Sequence, residues 1–69
     1  MSQEDIFNII SELGGEATLE EIRNRVKQKY PARTLHLYIL TRLRQLAKNG
    51  LIYDEGKKWR LRKKKYHSK

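Results

Sequence analysis

The 69-residue sequence contains no cysteine and no long hydrophobic run. The lack of cysteine excludes a disulfide framework and a thiolate zinc site, so the fold depends on helix packing, helix caps and a few large apolar side chains. The longest apolar-rich stretch, residues 35–40, is far too short for a membrane span. The first five residues also lack the basic-then-apolar order of a signal peptide. We therefore expect an intracellular protein with no membrane partner.

Acidic residues are scarce after residue 22. Residues 1–22 hold six of the eight acids and no lysine or arginine, which gives this segment a charge of −6. Residues 23–69 hold all 16 lysine and arginine residues and two acids, which gives +14, and the whole chain carries +8. A basic protein that is merely soluble does not need to segregate its charges. The division favours one face that binds a polyanion.

The chain length allows one compact domain with a core of about a dozen side chains. Ser2 is placed to cap a first helix, with Asp5 three residues later. Apolar residues then follow at the spacing of one helix face, at Ile6, Ile9, Ile10 and Leu13. Gly14-Gly15 ends this helix and leaves room for a very short strand at residues 16–17.

A second helix is predicted after the segment Thr18-Leu-Glu-Glu21. This segment has the pattern of a capping box, in which the threonine and glutamate side chains each accept a hydrogen bond from the other residue's backbone N–H. The inner face of this helix is expected to consist of Leu19, Ile22, Val26 and Tyr30. Pro31 ends the helix, because the residue before a proline is disfavoured in the helical conformation, and residues 31–33 become the turn of a helix-turn-helix pair.

A third helix is predicted from Thr34 to about Asn49, and Gly50 ends it. Its inner stripe is Leu35, Ile39, Leu43 and Leu46. The side chains that point the other way are Leu37, Thr41, Arg44, Gln45 and Lys48. The third helix therefore combines a core-facing stripe with a mainly polar outer face.

The residues after Gly50 predict a β-hairpin. Residues 51–53 form the first strand, residues 54–57 a turn in which Gly56 supplies a positive φ, and residues 59–62 a returning strand of alternating apolar and basic side chains. Trp59 is then expected opposite Ile52, which favours a lid on the core over stacking on a ligand. The predicted fold is α+β, mostly helical, with three helices and a C-terminal hairpin in a domain at residues 1–62. Residues 63–69 form a basic tail that we expect to be mobile.

This order of elements, with the spacing Ile39-x3-Leu43-x2-Leu46-x3-Gly50-Leu-Ile52, resembles the winged helix-turn-helix DNA-binding domains over nearly the whole chain. The resemblance implies that the third helix enters the major groove and that the hairpin, or wing, contacts phosphates. The spacing is specific for the fold but says little about the ligand, because one fold serves many functions.

A partial likeness to the Z-DNA-binding winged helices lies in Leu46-Ala-Lys-Asn-Gly50 followed by Trp59. Among that family's DNA-contacting positions, only the tryptophan matches. Leu40 and Arg44 stand where the family has an asparagine and a tyrosine, and Lys57-Lys58 replaces its wing prolines. The comparison favours ordinary duplex DNA over left-handed DNA.

The candidate binding residues divide by chemistry. Arg44 and Gln45 have the geometries that read guanine and adenine, and Thr41 suits a base or a phosphate. Arg33, His36 and Lys48 lie near the helix ends, where a nucleic-acid backbone would pass. The complete set of candidate nucleic-acid-binding residues is Arg33, Thr34, His36, Thr41, Arg44, Gln45, Lys48, Lys57, Lys58, Arg60, Arg62, Lys63, Lys64 and Lys65.

The hairpin and tail carry the strongest expected electrostatics. Eight positive charges and no acid occur within residues 57–69, at Lys57, Lys58, Arg60, Arg62, Lys63, Lys64, Lys65 and Lys69. If about six of them neutralise phosphates, counterion release predicts a log-log salt slope near −5 and weak sequence specificity. A localisation signal or a solubility tail would use the same residues. The hairpin and tail thus argue for phosphate binding more strongly than the third helix argues for base reading.

Several alternatives stay open. Leu37 and Leu40 are apolar but lie off the core stripe, so they suit contacts to thymine methyls or a homodimer contact equally well, and packing under the tail is a third interpretation. Aromatic residues in the basic half keep RNA or single-stranded binding open, because those ligands depend on stacking; they include Tyr38, Tyr53 and Tyr66.

Other functional classes have less support in the sequence. A protein-interaction module would use the acidic first helix, with Glu4, Asp5 and Glu12, to meet a basic partner or another copy of the chain. Enzymatic function has the least support, because there is no thiol, metal-ligand spacing or phosphate-binding glycine loop. We expect neither an enzyme nor a cofactor or metal site.

Overall fold

A computed structural model describes residues 2–31 and 36–62, without the side chains of residues 36 and 37. These ranges contain three helices and three strands, in the order α1 (Gln3–Glu12), β1 (Glu16–Thr18), α2 (Leu19–Lys29), α3 (His36–Lys48), β2 (Ile52–Glu55) and β3 (Lys58–Leu61). The α+β, mostly helical class is confirmed. The predicted start of the third helix at Thr34 and the tail at residues 63–69 lie outside the described residues.

The predicted N-cap at Ser2 and the predicted capping box at Thr18 are both present, and Ser2 also forms a capping box with Asp5. The Asp5 N–H donates to Ser2 Oγ at 3.4 Å, and the Ser2 N–H donates to the Asp5 carboxylate at 2.9 Å. At α2, the Glu21 N–H donates to Thr18 Oγ1 at 3.1 Å, and the Thr18 N–H donates to Glu21 Oε1 at 2.8 Å. The hydrogen bond from the Thr18 backbone is the main reason why the pKa of Glu21 is lowered. Each cap contributes on the order of 1 kcal/mol to stability.

The helix ends follow the sequence signals. Gly14 and Gly15 have φ of 99° and 89°, and the Gly15 N–H donates to the Ile10 carbonyl at 3.0 Å, so the glycines close α1 as expected. Tyr30 is the C-cap of α2, with its N–H on the Val26 carbonyl at 2.7 Å. The regular part of α2 therefore ends at residue 29, just before the predicted end.

The three strands form an antiparallel sheet in the order β1-β3-β2, so β3 lies in the centre. The expectation that Trp59 lies opposite Ile52 is wrong: Ile52 pairs with Leu61, while Trp59 pairs with Asp54 on β2 and Ala17 on β1. Because this shift is two residues, Ile52 and Trp59 still share one face of the sheet.

The turn explains the shifted register. Glu55 pairs with Lys58, so only Gly56 and Lys57 form the loop, and β2 continues through residues predicted to lie in the turn. Gly56 has a φ of 68°, while Lys57 does not have a positive φ. A glycine at the first position of a two-residue loop followed by a residue of negative φ is typical of a type II′ turn, which matches the twist of a hairpin.

Among the described residues, twelve apolar side chains are buried and form one core cluster, namely Ile6, Phe7, Ile9, Ile10, Ala17, Ile22, Val26, Ile39, Leu43, Leu46, Leu51 and Ile52. Trp59 and Leu61 pack against this core half-buried, from the inner face of β3. Trp59 thus lies where a lid on the core was expected. None of the helices in residues 2–31 and 36–62 combines the length and apolarity needed to span a bilayer.

Candidate nucleic-acid interface

The outer face of α3 carries four of the predicted binding residues. Ile39, Leu43 and Leu46 are buried, so the opposite side of the helix faces solvent. Thr41, Arg44 and Lys48 are exposed there, and Gln45 is half-buried. Two other predicted residues, Arg33 and Thr34, lie outside the described residues, as does the side chain of His36.

Arg44 and Lys48 are one helical turn apart, and α3 contains no acidic residue. Among the described residues, no carboxylate forms an ion pair with either of them. Like charges at this spacing destabilise a helix by about 0.2–0.5 kcal/mol. An anion in front of this face would relieve that repulsion.

Unlike Arg44 and Lys48, the cations on the outer face of the sheet form ion pairs with carboxylates. Arg60 Nε lies 3.3 Å from Glu16 Oε1, and Lys58 Nζ lies 3.6 Å from Glu16 Oε2. Arg60 Nη1 also donates to Glu55 Oε1 at 2.9 Å. The hydrogen bond to Glu55 is the main cause of the raised pKa of Arg60. Lys58 and Arg60 are therefore already neutralised in part by acids on both neighbouring strands.

The register of the sheet produces this arrangement. Arg60 stands across from Glu16 on β1, and Lys58 stands across from Glu55 on β2 and Thr18 on β1. Cross-strand neighbours on one face are close enough for opposite charges to interact. The sequence did not indicate these acids, because the short strand predicted at residues 16–17 had no assigned partner strand and Glu55 was predicted to lie in the turn.

The two ends of β3 present one cation each. Lys57 is exposed in the turn, and no ion pair joins it to a described residue. The Arg62 guanidinium carbon lies 4.8 Å from the centroid of the Tyr53 ring. The backbone N–H of Arg62 donates to the Leu51 carbonyl at 2.8 Å. The predicted binding residues that follow lie outside the described part of the chain; they are Lys63, Lys64 and Lys65.

A flank of α3 contains two residues that sequence reasoning did not place in the site. Arg42 Nη1 donates to Gln45 Oε1 at 3.1 Å, and the Arg42 guanidinium lies 5.9 Å from the centroid of the Tyr38 ring. Tyr38 is 52% exposed, and Arg42 is half-buried. The spacings of three and four residues, which bring side chains together on a helix, were the available signal.

Charge segregation along the sequence is only partly preserved in space. Glu12 of α1 accepts from Lys29 Nζ at 2.6 Å and from Arg25 Nη1 at 3.1 Å. The hydrogen bond from Lys29 is the main cause of the lowered pKa of Glu12. Glu12 and Glu16 belong to the acidic segment 1–22, and both form ion pairs with cations from the basic segment 23–69. Eleven of the 16 basic residues and all eight acids lie in the described ranges, which leaves a net charge of +3 there.

The structure also bears on the apolar candidates and on metals. Leu40 is half-buried, and the side chain of Leu37 lies outside the described part. Within residues 2–31 and 36–62, no group of three or more His, Cys, Asp or Glu side chains is arranged to hold a metal ion.

Comparisons with known proteins return nothing similar. No protein-family model matches the chain, and neither a curated protein nor a solved structure matches it.

Proposed function

We propose that this chain is a winged helix-turn-helix protein that binds duplex DNA, as a transcription regulator or a small chromatin-type protein. The order α1, β1, α2, α3, β2, β3 and the sheet order β1-β3-β2 are compatible with that fold. The buried stripe of Ile39, Leu43 and Leu46 directs the opposite side of α3 outward, as the proposal requires.

The uncompensated Arg44 and Lys48 pair on α3 is the observation that carries the proposal. Glu12, Glu16 and Glu55 form ion pairs with four other described cations, Arg25, Lys29, Lys58 and Arg60, whereas no described carboxylate pairs with Arg44 or Lys48 on the exposed face of α3. A helix with its side chains is about 10–12 Å wide, which suits the roughly 12 Å major groove. Phosphates and the acceptor atoms of guanine would supply the negative charge that no described carboxylate supplies to Arg44 and Lys48.

The hairpin supports the proposal through a smaller set of cations than its sequence suggests. Lys57 at the turn is available for phosphates, whereas Lys58 and Arg60 must first leave Glu16 and Glu55. The described residues span 29 × 28 × 19 Å. At 3.4 Å per base pair, this corresponds to a footprint of about eight base pairs.

A titration of a labelled 20-base-pair duplex at several salt concentrations tests the proposal. We expect Arg44→Ala to weaken binding by about fivefold or more, and Lys48→Ala to reduce the magnitude of the log-log salt slope by about 1. Arg25→Ala is the matched control, because it removes the same charge from a residue that already pairs with Glu12. Absence of binding at low salt, or equal effects of all three substitutions, would contradict the proposed surface.

A second candidate function is RNA binding, as in ribosomal winged-helix proteins. The exposed ring of Tyr38 and the stacked pair of Tyr53 and Arg62 favour it, because flat groups at the surface suit unpaired bases. Competition between duplex DNA and a structured RNA at matched salt separates the two functions. Stronger competition by RNA, lost on Tyr38→Ala, would replace the first proposal with the second.

A further inference from the structure

The orientation of the Gln45 amide is fixed by its neighbour. Arg42 Nη1 lies 3.1 Å from Gln45 Oε1. A guanidinium only donates hydrogen bonds, so the amide atom that faces it must be the oxygen rather than the nitrogen. Arg42 is itself placed against the ring of Tyr38. The Gln45 NH2 group therefore remains as the part of the amide that is available to a ligand.

We propose that Arg42 makes Gln45 act as a hydrogen-bond donor and so adapts the α3 face to guanine rather than adenine. This inference rests on the proposed function and names Arg42 as a positioning residue for base recognition. Glutamine reads adenine by accepting from the N6 amino group while donating to N7. In this protein the accepting oxygen of Gln45 is already bonded to Arg42.

Electrostatics strengthens the preference. The Gln45 oxygen has a second lone pair, but the positive guanidinium of Arg42 beside it repels the amino hydrogens of adenine. The same charge attracts the O6 and N7 acceptors of guanine.

The neighbouring side chains have the same polarity. Arg44 and Lys48 also donate without accepting, and both are exposed on this face. Guanine presents two acceptors in the major groove, whereas adenine presents an acceptor beside a donor. A surface whose nitrogen-bearing side chains all offer N–H groups therefore matches guanine best.

Selection from a random duplex pool with the full chain, followed by titration of paired duplexes, tests the inference. We expect guanine to be preferred over adenine by at least about fivefold at a position where Gln45→Ala removes the preference. Arg42→Met should reduce this preference by improving adenine binding, while Arg42→Lys, which still donates, should retain most of it. Arg25→Met is the charge-matched control and should leave the preference unchanged.

The outcomes separate the inference from the function beneath it. If the wild-type chain binds no duplex at low salt, the proposed function fails and the inference fails with it. If the chain binds duplex without preferring guanine, or if Arg42→Met leaves the preference intact, DNA binding stands and the inference is overturned.

A second variant covers the case in which Arg42→Met does not fold, as judged by circular dichroism. Gln45→Glu keeps an oxygen for Arg42 but removes the NH2 donor, so it should abolish the guanine preference. A guanine preference that survives in a folded Gln45→Glu variant would overturn the inference.

Discussion

At the residue scale, Glu16 has the largest effect on the candidate surface. One half-buried carboxylate on the edge strand β1 lies within 4 Å of both Lys58 and Arg60 on the central strand. Surface ion pairs contribute little to stability, about 0–1 kcal/mol, so the main effect of Glu16 is on the electric field that a polyanion meets. Under the proposed function, Glu16 would therefore weaken phosphate binding by the hairpin.

The first prediction concerns this carboxylate. Glu16→Gln should tighten duplex binding at low salt by up to about fivefold, because Lys58 then has no acid to leave and Arg60 keeps only its pair with Glu55. The salt slope should become steeper by up to about 1 for each released cation. Glu20→Gln, at an exposed position on α2, provides the control for net charge. Equal gains from the two substitutions would show that overall charge, and not the ion pairs of Glu16, sets the affinity.

At the element scale, Glu12 joins α1 to α2 through Lys29 and Arg25. The lowered pKa of Glu12 means that the folded protein binds this proton less tightly than the unfolded chain, whose value is near 4.5. The stabilising contribution is therefore fully present above this pH and is lost as the pH falls through the lower folded-state pKa.

The second prediction follows from this sign. Urea unfolding should show that Glu12→Gln lowers stability at pH 7, and that its difference from wild type shrinks as the pH falls below about 4.5. Salt should also reduce the stability difference between Glu12→Gln and wild type at pH 7, because Glu12 and Lys29 are exposed to solvent. Glu4→Gln, which removes an acid from the same helix at a position with no ion pair to a described residue, is the matched control. A constant difference between pH 7 and pH 3 would argue against the α1–α2 ion pairs.

The elements also show how far sequence reasoning reaches in this chain. Helix starts and ends were predictable, because caps at Ser2 and Thr18 and the stop at Gly14 depend on residues close in sequence. The strand register could not be predicted, because it depends on a turn confined to Gly56-Lys57 and on the pairing of β1 with β3, which are distant in sequence.

The same distinction applies to the candidate site. Periodicity placed Arg44 and Lys48 on the outer face of α3, where the structure has them exposed. The acids beside Lys58 and Arg60 come from other strands, so no local pattern indicated them. Arg42 was missed although its partners are only three and four residues away, because its angular position lies between the core stripe and the outer face.

At the scale of the whole molecule, the positive charge is divided between two parts of the chain. The described ranges carry +3 of the total +8, and the other +5 belongs to Arg33 and four lysines within residues 63–69. Under the proposed function, long-range attraction of a polyanion would therefore depend more on those five residues than on the net charge of the described ranges.

The third prediction tests this division. Deletion of residues 63–69 should reduce the magnitude of the log-log salt slope by about 3 to 4 if all four lysines contact phosphates. Because all buried core residues among those that the structure describes lie within residues 6–52, the melting temperature should change little. Replacement of the four lysines by glutamine in the full-length chain controls for length. An unchanged slope in both variants would confine phosphate contacts to the rest of the chain.

The central position of β3 has a mechanical consequence. Tension applied at residue 63 enters the fold through β3, which is hydrogen-bonded to a strand along each edge. At its last residues, the Leu61 N–H donates to the Gly15 carbonyl at 2.9 Å and the Arg62 N–H donates to the Leu51 carbonyl at 2.8 Å. A pulling force is thus shared between two ladders that connect to different helices. If residues 63–69 are bound to a polymer that is under tension, β3 separates only when its hydrogen bonds to both neighbouring strands open, whereas an edge strand would need to break one set.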